Sequence, residues 1–199
     1  LKGFKLFAFG CAGAAMWMFS GMANAAVAQS TGWYLEGNVG KSATYKIYPG
    51  KVKDTGLGLN INGGYKFTKF VAVDVGLTHY AQAHIKNSAG RTAATDSHYS
   101  YDIAGKFMLP IASTGFEVFA KAGVSRIQSY VKLTNSGAAN VDGLTFNTGS
   151  HSASGAYFGV GADYGILSNL LVNMQWMRAS GSRATGRADL YSGGLSYIF

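Results

Sequence analysis

Residues 71–78 read Val71-Ala72-Val73-Asp74-Val75-Gly76-Leu77-Thr78. Every second residue is a bulky aliphatic, and those between are small or polar, with a carboxylate among them. Side chains of an extended chain point alternately to opposite faces, so this octet specifies a strand with one apolar and one polar face. Working outward, the same alternation recurs. Trp33, Leu35 and Val39 oppose Tyr34, Glu36 and Asn38; Leu57, Leu59, Ile61, Tyr65 and Phe67 oppose Asn60, Asn62 and Lys66. Further on, Tyr99, Tyr101, Ile103, Phe107 and Leu109 oppose Asp102 and Lys106, and Phe116, Val118 and Val124 oppose Glu117, Lys121 and Ser125. Three more segments complete the series: Phe158 and Val160 against Asp163; Leu170, Val172, Met174 and Trp176 against Asn173 and Gln175; then Tyr191, Leu195, Tyr197 and Phe199.

The 199 residues are 48% hydrophobic and only 13% charged, with 28 glycines, 2 prolines and a mean hydropathy of +0.09. Roughly a quarter of an ordinary soluble domain is charged, and a bundle of membrane helices would be far more apolar. A membrane β-barrel meets lipid through alternate residues only, which reconciles the two. Connections alternate long and short: residues 42–56, 81–97, 134–153 and 179–188 are long and polar, whereas 68–69, 110–113 and 165–169 are tight. The fold expected is all-β, an eight-stranded antiparallel up-and-down transmembrane β-barrel with both termini in the periplasm. A soluble lipocalin-type barrel would turn its apolar face inward. The aromatic residues at strand ends, among them Trp33, Tyr65, Phe67, Phe70, Phe107, Phe116, Tyr164 and Trp176, speak for interfacial girdles instead.

Lys2 and Lys5 precede an uncharged stretch, residues 6–23, that ends in Ala23-Asn24-Ala25. These are the elements of a secretory signal peptide, expected to be cut after Ala25 (or Ala28), leaving a barrel domain of residues 26–199. The lone Cys11 lies inside that leader, so the mature chain has no disulfide or thiolate chemistry. Loss of the two lysines takes the net charge from +8 to +6. A basic exported chain without a nucleic-acid motif points to anionic lipid or polysaccharide rather than nucleic acid.

In the last segment, Tyr191, Leu195, Tyr197 and Phe199 resemble the C-terminal β-signal of bacterial outer-membrane proteins. With the leader and the eight alternating segments, the chain resembles the small OmpA/OmpX-type and opacity-type, porin-like barrel family over nearly all its mature length. The resemblance implies delivery through the periplasm to the cell outer membrane and insertion by the barrel-assembly machinery, with Phe199 as a recognition residue; no cofactor and a monomer are expected.

Eight strands enclose a space that side chains just fill, so a plugged barrel rather than an open general porin is expected. Its inward face carries Glu36, Asp74, Asp102, Glu117 and Asp163 against Lys66, Lys106 and Lys121, read chiefly as a paired polar core. A register that sets Asp102 opposite Lys121, Lys106 opposite Glu117 and Phe107 opposite Phe116, with a turn at residues 110–113, would pair four of these charges. The outer loops and strand ends offer Lys46, Lys51, Lys53, Arg126, Arg178, Arg183 and Arg187 to phosphates of outer-membrane lipid and lipopolysaccharide or to a host or surface ligand. His79, His84, His98 and His151 are placed at or beyond the outer strand ends, without a recognisable catalytic or zinc-binding spacing. The function expected is structural or interactive: membrane integrity, adhesion or recognition through loops. A lipid-A-modifying enzyme and a narrow ion or small-solute channel are the alternatives.

Overall fold

The computed structural model describes residues 31–46, 52–86, 92–111, 114–133, 149–182 and 185–199. The alternating segments form β1 (Gly32–Lys46), β2 (Val52–Lys66), β3 (Val71–His79), β4 (Ala83–Lys86), β5 (Thr92–Pro110), β6 (Phe116–Leu133), β7 (Gly149–Gly165), β8 (Leu170–Ser180) and β9 (Arg187–Ile198). All neighbours are antiparallel in the order β3-β2-β1-β9-β8-β7-β6-β5-β4, and β3 also pairs with β5, which closes the ring. β3 and β4 lie end to end along β5, so the closed barrel has eight staves. At their junction three residues, 80–82, face two, Ser97 and His98; this bulge lets the Ala81 amide donate to Ser42 Oγ of β1 at 2.9 Å.

The faces are those expected for lipid outside and polar groups inside. Leu35 is 53% exposed while its neighbour Glu36 is fully buried, and Val73 and Val75 are exposed on either side of buried Asp74. The cost of moving Leu, Val and Ile from lipid to water is what holds such a wall in the membrane. Aromatic contacts mark two rims. Trp33–Tyr65, Tyr65–Phe67 and Tyr197–Phe199, with ring centroids 5.0–5.1 Å apart, ring the near end, where β1 starts and β9 ends; Phe158–Trp176 and Trp176–Tyr191 stand higher. From Tyr191 on β9 to Phe199 just past its end is eight steps, about 26 Å at ~3.3 Å per residue, which a tilt of about 35–45° projects to roughly 20 Å, within an apolar band of about 25 Å. Tyr164 departs from the girdle pattern, being covered against Phe116 at 4.6 Å rather than exposed.

Two expectations are corrected. The first two long connections are mostly strand, since β1 continues to Lys46, β2 starts at Val52 and β5 at Thr92; the other two are shortened by β7, which starts at Gly149, and β9, which starts at Arg187. Beyond the bilayer both faces of a stave are wet, so apolar contrast fades while the ladder of backbone hydrogen bonds runs on. A tilted transmembrane strand needs only about 9–11 residues, and β5, β6 and β7 have 19, 18 and 17. The β5–β6 register also differs from the one expected. Asp102 stands opposite Ser125, Lys106 opposite Lys121, Phe107 opposite Ala120, and Pro110 opposite Glu117. The turn therefore sits nearer β6, where Gly115 takes φ 74°, a left-handed conformation costly for other residues, and the Ile111 amide donates to the Phe116 carbonyl at 2.8 Å. The charges find their partners across the lumen, not across this strand pair.

Staves approach closely at inward glycines. A Cβ on Gly194 would press into the Gly37 carbonyl and lie 2.8 Å from Asn38 Cα, whereas one on lipid-facing Gly63 meets nothing within 4 Å. Gly194→Val is expected to block refolding, read as loss of the fast-migrating unheated band on a gel, while Gly63→Val refolds like wild type.

Candidate functional site

The lumen is filled in layers. At the near end Tyr34, Met108, Phe119, Leu171 and Ile198 form an apolar floor around Ala72. Towards the far end Tyr80, Ile127, Tyr157, Met177 and Leu190 form an apolar ceiling. Inward glycines make room for the large rings: the Tyr34 phenol lies over Gly64, and the edge of Phe119 over Gly161. Between floor and ceiling are the charges that the sequence places on this face.

Glu36 is their hub. Its Oε1 accepts from Asn38 at 2.9 Å, Asn62 at 3.0 Å and Gln175 at 2.8 Å, and Lys121 Nζ stands 3.5 Å from it. Lys106 Nζ lies 3.6 Å from Oε2 and 2.9 Å from Asp163 Oδ2, and over the Phe119 ring at 4.0 Å. Lys121 Nζ is 2.8 Å from Asp74 Oδ2, which also accepts from the Tyr34 hydroxyl at 3.2 Å. Lys66 Nζ reaches Glu117 Oε2 at 3.4 Å near the floor. Seven of the eight predicted lumen residues thus enter ion pairs, whose members come from β1, β2, β3, β5, β6 and β7. Asp102 stands apart: it is 7% exposed, and neither carboxylate oxygen has a hydrogen-bond partner. What the sequence reading did not single out is the amide network. Asn38, Asn60 and Asn62 bond to one another at 2.8–3.0 Å, and Asn60 also donates to Thr78. The signal was there as Asn at inward positions of β1 and β2, where strands ordinarily disfavour it.

The basic residues assigned to the surface separate. Arg126 faces outward on β6 and donates to Ser152 at 2.8 Å; Arg187 lies over the Tyr45 ring at 4.8 Å. Arg178 is held by Asp189 through two bonds of 2.6 and 2.8 Å, and sits over Trp176 at 5.1 Å. Lys51 and Arg183 lie outside the described residues, and Lys46 and Lys53 end and begin strands without described side chains. Tyr191, Leu195 and Tyr197, expected as an assembly signal, are outward on β9, the strand that closes the barrel against β1, and the Phe199 amide donates to the Trp33 carbonyl at 2.8 Å. The histidines are corrected in one respect: His98 lies within β5, 1% exposed and facing inward, because that stave runs on past the expected strand end. His79 ends β3 with its ring against Tyr99 at 4.8 Å. Among the described residues no three His, Cys, Asp or Glu side chains are grouped as a metal site would require.

Removing one partner of a buried ion pair strands the other charge, at a cost of about 3–5 kcal/mol. Lys121→Met is therefore expected to lower the unfolding free energy by that amount in urea titrations of the vesicle-inserted barrel, and Lys121→Met/Asp74→Leu to recover at least half. Equal stability of Lys121→Met and wild type would show that the network is energetically neutral.

The same architecture occurs in solved barrels. The chain matches the crystal structure of Neisserial surface protein A with a TM-score of 0.66 at 14% identity, covering 86% of this chain and 99% of that one. The outer-membrane protein OprG of Pseudomonas aeruginosa gives 0.61 at 14% identity, with 88% and 99% covered. Ail, the attachment invasion locus protein of Yersinia pestis, solved with the heparin analogue sucrose octasulfate, gives 0.54 at 12% identity, with 84% and 99% covered. At such identities the likeness is one of fold. No curated protein sequence matches the chain. Residues 12–199 match the family of the outer membrane protein beta-barrel domain. The chain belongs to that family, and its staves are the transmembrane strands of an outer-membrane protein.

Proposed function

We propose that this protein serves the outer membrane as a structural and interactive element, sealing its own lumen and meeting lipid, polysaccharide or a host surface through its far end. In this reading residues 1–25 are a leader removed on export, the barrel-assembly machinery inserts the monomer, and both termini face the periplasm. The observation that carries it is the filled lumen. The cavity at the floor, between Tyr34, Lys66, Lys106 and Asp163, measures about 10 Å³, room for about one water. A solute would have to displace both apolar layers and break the ion pairs of Glu36. Refolded protein in planar bilayers is therefore expected to show no steady single-channel conductance, and lipid A from cells with and without the protein to give the same mass spectrum. Sustained conductance would favour the narrow channel, and altered lipid A the enzyme.

Recognition falls to the outward basic residues of the far end. Lys41, Arg126 and Arg187 are exposed and point away from the lumen, Lys41 opposite Tyr191; near an anionic surface a cation contributes about 1 kcal/mol. Arg178 is already neutralised by Asp189. The solved complex of Ail with a sulfated sugar analogue supports an anionic partner for barrels of this shape. Arg126→Ala/Arg187→Ala is expected to weaken binding to lipopolysaccharide-coated surfaces about 30-fold, at ~1 kcal/mol per cation. Neutralising Lys46, Lys51 and Lys53 tests the loops in the same assay, and unchanged binding in both variants would refute the anionic partner.

A further inference from the structure

Turns that meet water are ordinarily polar, and the three at the near end are not. Residues 67–70, 111–115 and 166–169 hold one charged residue among them, Lys69. Ile111 is 45% exposed and Leu167 54%, and Phe67, Phe70 and Ile166 are exposed with them. They continue the lipid-facing wall: Phe70 leads into exposed Val71 of β3, and Ile111 follows exposed Leu109 of β5. Such side chains at the tip of a turn cost free energy in water. Lys69 tolerates immersion, because its ammonium group stands 5.0 Å from the Phe70 ring centroid on a long apolar stem that can reach back to the surface.

The turns also bond their own backbone, which a segment entering lipid must do and one in water need not. Thr68 Oγ1 accepts from the amides of Phe70 and Val71 at 3.1 Å, and the Val71 carbonyl accepts from Phe67 and Thr68. In the next turn Thr114 Oγ1 donates to the Ile111 carbonyl at 2.6 Å and accepts from the Phe116 amide at 3.2 Å. In the third the Leu170 carbonyl takes the amides of Ile166 and Leu167, and Asn169 Nδ2 donates to the Tyr197 hydroxyl at 2.9 Å.

Height points the same way. From Tyr191 to Phe199 the tilted wall spans roughly 20 Å, short of an apolar band of about 25 Å. The Ile198 amide donates to the Asn169 carbonyl at 2.8 Å, so the tip at Ile166 and Leu167 lies past the end of β9. Two residues of a tilted strand add ~5 Å, which makes up the difference.

We infer that the three near-end turns form a phospholipid-docking collar, their apolar side chains immersed in the acyl boundary of the leaflet at that end. The occupant is lipid rather than protein because the collar is continuous with a wall that lipid already covers, and because the turn amides named above are bonded within the chain. The collar is independent of the far-end partner proposed above.

The test places single tryptophan reporters in a Trp17→Phe/Trp33→Phe/Trp176→Phe background, refolded into phosphatidylcholine vesicles. Ile111→Trp and Leu167→Trp report the collar, and Ser182→Trp, in the far-end turn after β8, is the aqueous reference. The near-end reporters are expected to emit to the blue of the reference, to be quenched by lipid brominated high on the acyl chain, and to resist acrylamide. A second measurement keeps the native tryptophans: the thermal midpoint of wild type and of Phe70→Ser/Ile111→Ser/Leu167→Ser in bilayers of increasing acyl length. The variant's optimum should move to chains about two carbons shorter. Should the tryptophan-free background not fold, the thickness series decides. Near-end reporters as wet as Ser182→Trp, or an optimum unmoved by the triple substitution, would overturn the collar; so would reporters that are wet in vesicles and shielded only when envelope proteins are added, the mark of a protein-docking face.

Discussion

The structure depends on one constraint: a chain in lipid must satisfy every polar group internally. For the backbone this means a closed ring, and closure here rests on β9, which pairs with β8 on one side and β1 on the other. For side chains it means that buried charge gathers in the lumen, where every described carboxylate and ammonium group but Asp102 has an ion-pair partner. Glu36 shows how fully that is met, with three amide donors and two ammonium groups on one fully buried carboxylate. A soluble barrel would leave such a residue on its wet face. Here it is fully buried, and the lipid-facing leucines and valines around it are the exposed ones.

This division explains what could be read from the sequence. Period two is a property of one strand, and face assignment follows once lipid is placed outside, so Leu35, Val73, Leu109 and Leu195 outside and Glu36, Asp74 and Lys121 inside were all legible. Register is a property of two strands. Between Asp102/Lys106 and Glu117/Lys121 a charge-matching register exists, and it fails because a lumen side chain has partners across the barrel that compete with its neighbour on the next strand. Lys106 chooses Asp163 of β7 and Lys121 chooses Asp74 of β3. The turn glycine decides instead, and Gly115 was the local clue.

The strand ends were misjudged for a related reason. Contrast between faces comes from the bilayer, and above it Ser, Thr and His occupy both faces while hydrogen bonding continues. His98 is the clearest case: set in a polar run, it looks like a loop residue, yet it is an inward residue of a long stave. The amide network was unreadable on other grounds. Asn at an inward position announces polarity but not its partners, and only the juxtaposition of β1 and β2 brings Asn38, Asn60 and Asn62 together.

The layering bears on function more directly than the charges do. A charged lumen alone would resemble a pore lining, since carboxylates and lysines attract water and ions. Placed between Tyr34, Phe119 and Ile198 below and Tyr80, Tyr157 and Leu190 above, the same charges are closed off at both ends and serve cohesion instead. In the proposed function recognition falls to the wall, where substitutions on the outward face at the far end touch neither layer nor network. Arg187 on Tyr45 and Arg126 on Ser152 stand on the outward face, apart from both layers and from the ion pairs. A sealed interior with an unencumbered outer rim is the arrangement in which binding specificity can change while the fold stays fixed.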